Sequence, residues 1–257
     1  MIYPQQIPIF KDISFNSNLV EDYVFMEPFH PKVFDYFCED GWCYWSDFLF
    51  RKNYMHWRDK PCRIIILRIR LKDFKFSKSQ RKCLRQNADL RVERCPIALR
   101  PEHLETFTRH ANRFSHNRPA SAYSFFSDSS HVMPSTGMLF DVYDGDQYIA
   151  SSFFHLGEKS MAGNYCFYNP DYSDRSLGTF TMLLELQLAI ELGKEFYYPG
   201  FVYDRASEFD YKLNFNNLEY FDWWGSWYPL ERLAVRDWRA LYDAETLDYT
   251  DMEDPPF

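Results

Sequence analysis

Apolar and polar positions along the chain fall into periods that predict its elements. Cys62 to Leu71 is a run of Ile and Leu broken only by arginines, and reads as a strand. Ser77-Lys-Ser-Gln80 is a capping box that predicts a helix beginning at Lys78. Arg91–Leu99 is strand-like except at Pro96, and Pro101 opens a helix whose apolar stripe is Leu104, Phe107, Ala111 and Phe114. Met138–Tyr143 and Gln147–Leu156 flank Asp144-Gly-Asp146, the signature of a hairpin. A strand is predicted from Ser160 to Tyr168. A helix apolar on nearly every side, hence buried, follows from Ser176 to Leu192, with Gly193 as its cap. Further strands are predicted over Glu195–Tyr203 and Glu219–Tyr228. The Ser- and Pro-rich stretch 117–134 reads as a long loop.

The order hairpin, strand, glycine-containing loop, buried helix, strand predicts an α+β fold, a GNAT-like acyltransferase sheet with flanking helices and an N-terminal subdomain packed on it. In such sheets the loop before the buried helix cradles a pyrophosphate through [QR]-x-x-G-x-[GA]. The corresponding residues are Arg175-Ser-Leu-Gly178-Thr-Phe180, with a bulky Phe in the last small position. Phe180 is expected to obstruct the close backbone approach of an anion nest, which argues against an acyl-CoA donor.

The charge is divided unevenly. Residues 51–100 hold 16 Lys and Arg against 4 Asp and Glu, whereas the rest of the chain holds 13 against 33. A cationic segment in an otherwise acidic chain is the footprint of a local polyanion site. Lys78, Arg81, Lys82 and Arg85 share one helix face, where like charges repel unless something anionic meets them. Residues 1–100 are read as an N-terminal subdomain carrying the basic helix 78–87, residues 101–242 as the catalytic domain, and 243–257, with six acids and no base, as a tail. No apolar run approaches the roughly 20 residues of a membrane span, and the N-terminus lacks signal-peptide sectors, so a cytoplasmic chain with no membrane partner is expected. The six cysteines form no C-x-x-C pair, and the sequence has no H-E-x-x-H, G-x-S-x-G or P-loop motif. No metal and no resident cofactor are expected.

Asn164-Tyr-Cys-Phe-Tyr-Asn-Pro-Asp171, Arg175–Phe180, Glu195-Phe-Tyr-Tyr-Pro-Gly200 and Tyr211-Lys212 resemble, in order and spacing, the C-terminal region of arginyl-tRNA–protein transferases, a family that includes bacterial leucyl-transferring relatives. Phe74–Lys82, Arg85-Gln-Asn87 and Asp89-Leu90 supply a second match. The chain departs from the family in lacking its N-terminal cysteine cluster, in having Asn169 for the first Asp of an Asp-Pro-Asp element, and in lacking a Cys after Tyr203. The resemblance implies transfer of Arg or Leu from aminoacyl-tRNA, the co-substrate, to the free α-amine of acceptor proteins beginning with Asp or Glu. The product would be marked for N-degron proteolysis. It makes Asp171, Tyr168 and Tyr198 the catalytic candidates. Lys75, Lys78, Ser79, Gln80, Arg81, Lys82 and Arg85 become candidates for binding tRNA. Arg175, Gly178, Gly200, Tyr211 and Lys212 become candidates for holding substrate. An acyl-CoA-dependent N-acyltransferase and a non-catalytic tRNA- or degron-binding module are the alternatives; the sequence leaves the oligomeric state open.

Overall fold

The computed structural model describes residues 18–230 apart from 26, 47, 58–59, 115–117 and 206; the acidic tail lies outside the described residues. An N-terminal unit comprises β1 (Glu21–Phe25), α1 (Pro31–Glu39), β2 (Cys43–Trp45) and β3 (Phe48–Lys52), its strands pairing antiparallel in the order β1-β3-β2. No periodicity in the sequence announced this small sheet. The chain then enters the large sheet through β4 (Tyr54–Trp57) and the long strand β5 (Lys60–Arg70). α2 (Lys78–Gln86) starts at the expected capping box: Gln80 N–H donates to Ser77 Oγ, and Ser77 N–H to Gln80 Oε1. β6 (Arg91–Pro96) ends at its proline and lies at the sheet edge, where a missing N–H is tolerated. α3 (Pro101–Ala111) follows.

β7 (Thr136–Asp144) and β8 (Gln147–Leu156) form the predicted hairpin, and β9 (Ser160–Tyr168) extends it. α4 (Leu177–Glu191) then crosses back to β10 (Phe196–Tyr203), which runs parallel to β9. The expected final strand is two strands, β11 (Leu218–Phe221) and β12 (Trp227–Pro229). They are separated by a turn in which Asp222 Oδ1 accepts from the N–H groups of Trp224 and Ser226. The sheet order is β12-β11-β5-β10-β9-β8-β7-β6, with β4 paired to β5. This antiparallel run closed by one helix-linked parallel pair is the GNAT-like arrangement predicted from the element order. Residues 60–70 lie within the same sheet as the C-terminal strands.

Consecutive strand residues serve opposite faces. Phe140 and Phe154 join the core under α4, whereas Leu139 and Phe153 join a second cluster with Phe107 and Ala111 of α3. A third cluster joins Phe34 and Cys38 of α1 and Tyr44 of β2 to Ala162 of β9 and Tyr198 of β10. The N-terminal unit is thereby seated over the β9/β10 junction, which is where the sheet opens.

Candidate active site

β9 and β10 pair over three residues each, the last pair being Tyr198 with Ala162, and then part. The residues that end the pairing explain the opening. Pro199 has no N–H to donate to either neighbouring strand. Gly200 adopts φ +85°, and the register of β10 against β5 shifts between Tyr197 and Gly200. Both ladders of β10 are thus interrupted at one Pro-Gly step, and a cavity of about 730 Å³ occupies the fork. Its walls include Gly163–Cys166 of β9, Tyr198–Phe201 of β10, Cys43–Trp45 of the N-terminal sheet and His110 and Arg113 at the end of α3.

Six residues singled out from the sequence meet here: Tyr168, Gly178, Tyr198, Gly200, Tyr211 and Lys212 all line the cavity. Lys212 stands in the 3-10 turn Asp210–Asn214. Its Nζ donates to the Phe201 carbonyl at 3.1 Å and lies 5.0 Å from the centre of the Phe209 ring. A Cβ on Gly200 would sit 3.6 Å from that nitrogen, so the glycine leaves it room. Protein surrounds the lysine except on the cavity side, and desolvation lowers its pKa from 10.5 to about 8. It has no carboxylate within ion-pair distance among the described residues. Burial pushes the phenols of Tyr168 and Tyr198 up, so both stay neutral hydrogen-bond donors. Burial also pushes the Cys43 and Cys166 thiols up to about 12 and that of Cys38 well above its ordinary value, which leaves the three cavity cysteines protonated and poor nucleophiles.

Asp171 and Arg175 are placed elsewhere. Asp171 is 70% exposed, pairs with Arg109 at 2.8 Å, and does not line the cavity. Asn169, the residue that departs from the family pattern, caps this turn by accepting from Asp171 N–H. Arg175 is held by Asp89 through two hydrogen bonds of 2.8 and 2.9 Å. Phe180 does not obstruct the loop before α4, because its ring is buried in the core at 3% exposure. The expected obstruction misjudged which face of α4 the ring would take.

The basic helix α2 lies beside the cavity rim rather than within its wall. Near its start, Gln80 Nε2 donates to the carbonyl of Asn214, two residues beyond Lys212. At its end, Asn87 Nδ2 donates to the Arg175 carbonyl, next to the cavity residue Ser176. Lys78, Ser79, Arg81, Lys82 and Arg85 are exposed, as is Lys75, and among the described residues none of the five cations forms an ion pair. Gln80 is different: it is 4% exposed and committed to the cap and to Asn214, so it cannot reach a nucleotide.

Three features escaped the sequence reading. His110 and Arg113, one turn apart at the end of α3, close one side of the cavity. Burial and the neighbouring guanidinium lower the His110 pKa to about 4, so the ring is neutral. Glu185 is the buried acid of α4, whose other acid, Glu191, is exposed at the helix end. It lies behind Gly163, where a Cβ would come within 2.7 Å of Tyr197 Oη and 2.8 Å of Glu185 Oε2. Burial raises its pKa to about 7, against a 2.7 Å hydrogen bond from Tyr197. An acid in an otherwise apolar helix was a readable signal; a His and an Arg at i, i+3 was not. No group of three or more His, Cys, Asp or Glu among the described residues could hold a metal ion, and no described helix is long and apolar enough to cross a membrane.

Comparison with known proteins meets this geometry. The family model for the C terminus of arginine-tRNA-protein transferases matches residues 102–222. An aspartate/glutamate leucyltransferase of Chromohalobacter salexigens is 30% identical over 169 residues, which cover 63% of this chain and 67% of the relative. One from Campylobacter jejuni is 24% identical over 166 residues, covering 62% and 70%. Among solved structures, FemX superimposes with a TM-score of 0.46 at 13% identity, over 66% of this chain and 60% of that one.

Proposed function

Because the chain belongs to the aminoacyl-tRNA–protein transferase family and is therefore an aminoacyltransferase, we propose that it moves leucine from Leu-tRNA to the α-amine of proteins beginning with Asp or Glu. The single observation that carries the choice of substrates is the cavity wall: among the described residues it is rich in aromatic side chains, with one carboxylate, Glu208, and one deeply set lysine. An arginyl side chain wants carboxylates around it, whereas a leucyl side chain wants apolar wall. In this reading the ammonium of Lys212 receives the acceptor's acidic side chain, by charge-assisted hydrogen bonding in a poorly solvated site.

The ester is already activated, and an α-amine titrates at about 7.7–8.0, so the chemistry asks for positioning more than for a strong base. The amine nitrogen attacks the ester carbonyl, the carbon–oxygen bond to the ribose breaks, and the proton lost by nitrogen ends on the departing hydroxyl. Tyr168 and Tyr198, both neutral, are the hydrogen-bond donors at hand for the ester and ribose oxygens. With the cavity thiols of Cys38, Cys43 and Cys166 protonated, direct attack is favoured over an acyl-enzyme, and no resident cofactor is required in this reading. The exposed basic face of α2 near the rim supports it as the part that meets tRNA phosphates; Lys75 ahead of the helix and Lys78, Ser79, Arg81, Lys82 and Arg85 on it remain available.

The test is transfer of radiolabel from Leu-tRNA and, separately, Arg-tRNA to matched peptides beginning with Asp, Glu, Asn or Gln. Label from Leu-tRNA on the acidic peptides alone is the expected result. Labelling from Arg-tRNA, or equal labelling of the amide peptides, overturns the assignment of donor or acceptor respectively.

A further inference from the structure

The cavity has a second cation besides Lys212, and its setting is different. Arg113 is exposed at the rim. Its guanidinium lies 4.6 Å from the centre of the Tyr168 ring. Nη1 faces His110 Nδ1 at 3.3 Å, and that nitrogen also accepts from Tyr168 N–H. Arginine can only donate, so Nδ1 is the acceptor and the ring hydrogen of the neutral imidazole sits on Nε2. Among the described residues Arg113 has no carboxylate partner. Stacking and a neutral histidine orient the guanidinium without spending its charge, and the edge of the fork not turned to His110 is left to bind.

Position decides which anion fits. Lys212 is enclosed by Phe201, Phe209 and the Gly200 backbone, which suits a small terminal group. A phosphodiester continues into further chain on both sides and needs an open rim. Arg113 also lies where a strand arriving from α2 would enter. Its stacking partner Tyr168 stands 3.8 Å from the Cβ position of Gly178, at the start of α4, and the loop before α4 is hydrogen-bonded to the end of α2.

We propose that Arg113, oriented by Tyr168 and His110, binds the 5′-phosphate of the donor's terminal aminoacylated nucleotide, so that the esterified ribose hangs into the fork. The assignment rests on the aminoacyl-tRNA reading of the site, and deepens it by naming the residue that registers the donor.

The experiment is direct binding, independent of turnover. Two non-reacting probes are titrated calorimetrically into the full chain: 3′-leucylamido-adenosine, and the same compound carrying a 5′-methylphosphate. A charged hydrogen-bonded pair at a partly solvated site predicts about 10- to 100-fold tighter binding of the phosphorylated probe. Arg113→Gln, which is exposed and keeps a donor for His110, should abolish that preference, and Arg113→Lys should restore part of it; circular dichroism confirms that both fold. Equal affinity of the wild type for the two probes overturns the proposal, as does a preference that survives in Arg113→Gln. It is also overturned if Arg113→Gln instead erases discrimination between Asp- and Asn-leading acceptor dipeptides in the same titration. Failure of the substrate assignment would show differently, as absence of transfer from Leu-tRNA while the phosphate preference persists.

Discussion

Beneath α3 the carboxylate of Asp141 is buried and answered from several directions. His103 Nε2 lies 3.0 Å from Oδ1, Arg100 Nη2 donates to Oδ2 at 2.5 Å, and the Ser151 hydroxyl donates to Oδ1. Tyr148 and Ser151 share a further hydrogen bond of 2.6 Å. At the fork of β9 and β10, Lys212 donates to a carbonyl and faces aromatic rings; Asp210 attracts it from a distance, but among the described residues no carboxylate lies within ion-pair reach. Both regions take charge away from bulk water, yet only the first settles its account internally. A fully answered buried charge holds elements together, here α3 against β7 and β8. A buried charge left unanswered beside a cavity costs stability, and is explained by something that arrives.

That contrast can be broken by experiment. Asp141→Ala leaves the buried His103 without its acid and Arg100 with Glu102 alone, and should destabilise the fold by about 3–5 kcal/mol in urea titration. Transfer should then fall only as far as the folded fraction falls; a specific loss of turnover in folded protein would place Asp141 in the chemistry. Lys212→Met should do the reverse, lowering transfer to acidic acceptors by about 10- to 100-fold with the midpoint of unfolding unchanged or raised. The pH dependence sharpens this. Lys212 is charged below about 8 and neutral above it, so acceptor KM should rise through that pH in the wild type. In Lys212→Met it should stay flat, and a rise of equal size there would move the anion-binding role elsewhere.

Glu185 predicts a smaller effect on stability alone. Its pKa is raised from 4.5 to about 7, so the native state retains a proton that the unfolded chain has lost between those values. Wild-type stability should therefore decline relative to Glu185→Gln as pH rises from 4.5 to 7, by about 1–3 kcal/mol, and run parallel above. Parallel curves throughout would mean the carboxyl is not held in its neutral form. The smallest change is expected for Asp171→Asn: within about 0.5 kcal/mol in stability, and without effect on turnover, because the residue is exposed and paired on the surface. A tenfold fall in kcat would return Asp171 to the reaction.

The parts of this molecule legible in sequence are those set by local periodicity. The hairpin β7/β8, strand β9 and the buried helix α4 follow from alternation and from all-round apolarity, and their bounds emerge within a residue or two. The small N-terminal sheet carries no such pattern, because β2 has only three residues and β1 is exposed along its length. Of the candidate site, Tyr168, Tyr198, Gly178, Gly200, Tyr211 and Lys212 could be named from motif likeness, and the fold brings them to one cavity. Asp171 and Arg175 lie within the same motifs but face outward, since a motif fixes spacing and not which side of a turn a side chain takes. Gln80 shows the same limit: one residue cannot both close a capping box and read a nucleotide. Arg113 and His110 were invisible because their meaning depends on Tyr168, 55 residues away from the arginine along the chain.

The Pro199-Gly200 step has one further consequence. A gap between two strands would ordinarily tend to zip shut, each backbone amide finding a carbonyl across the way. With an imino ring at the vertex and a left-handed glycine behind it, that closure has no next rung to climb. The crevice therefore stands ajar whether or not it is filled, and an arriving substrate need not first prise two partners apart.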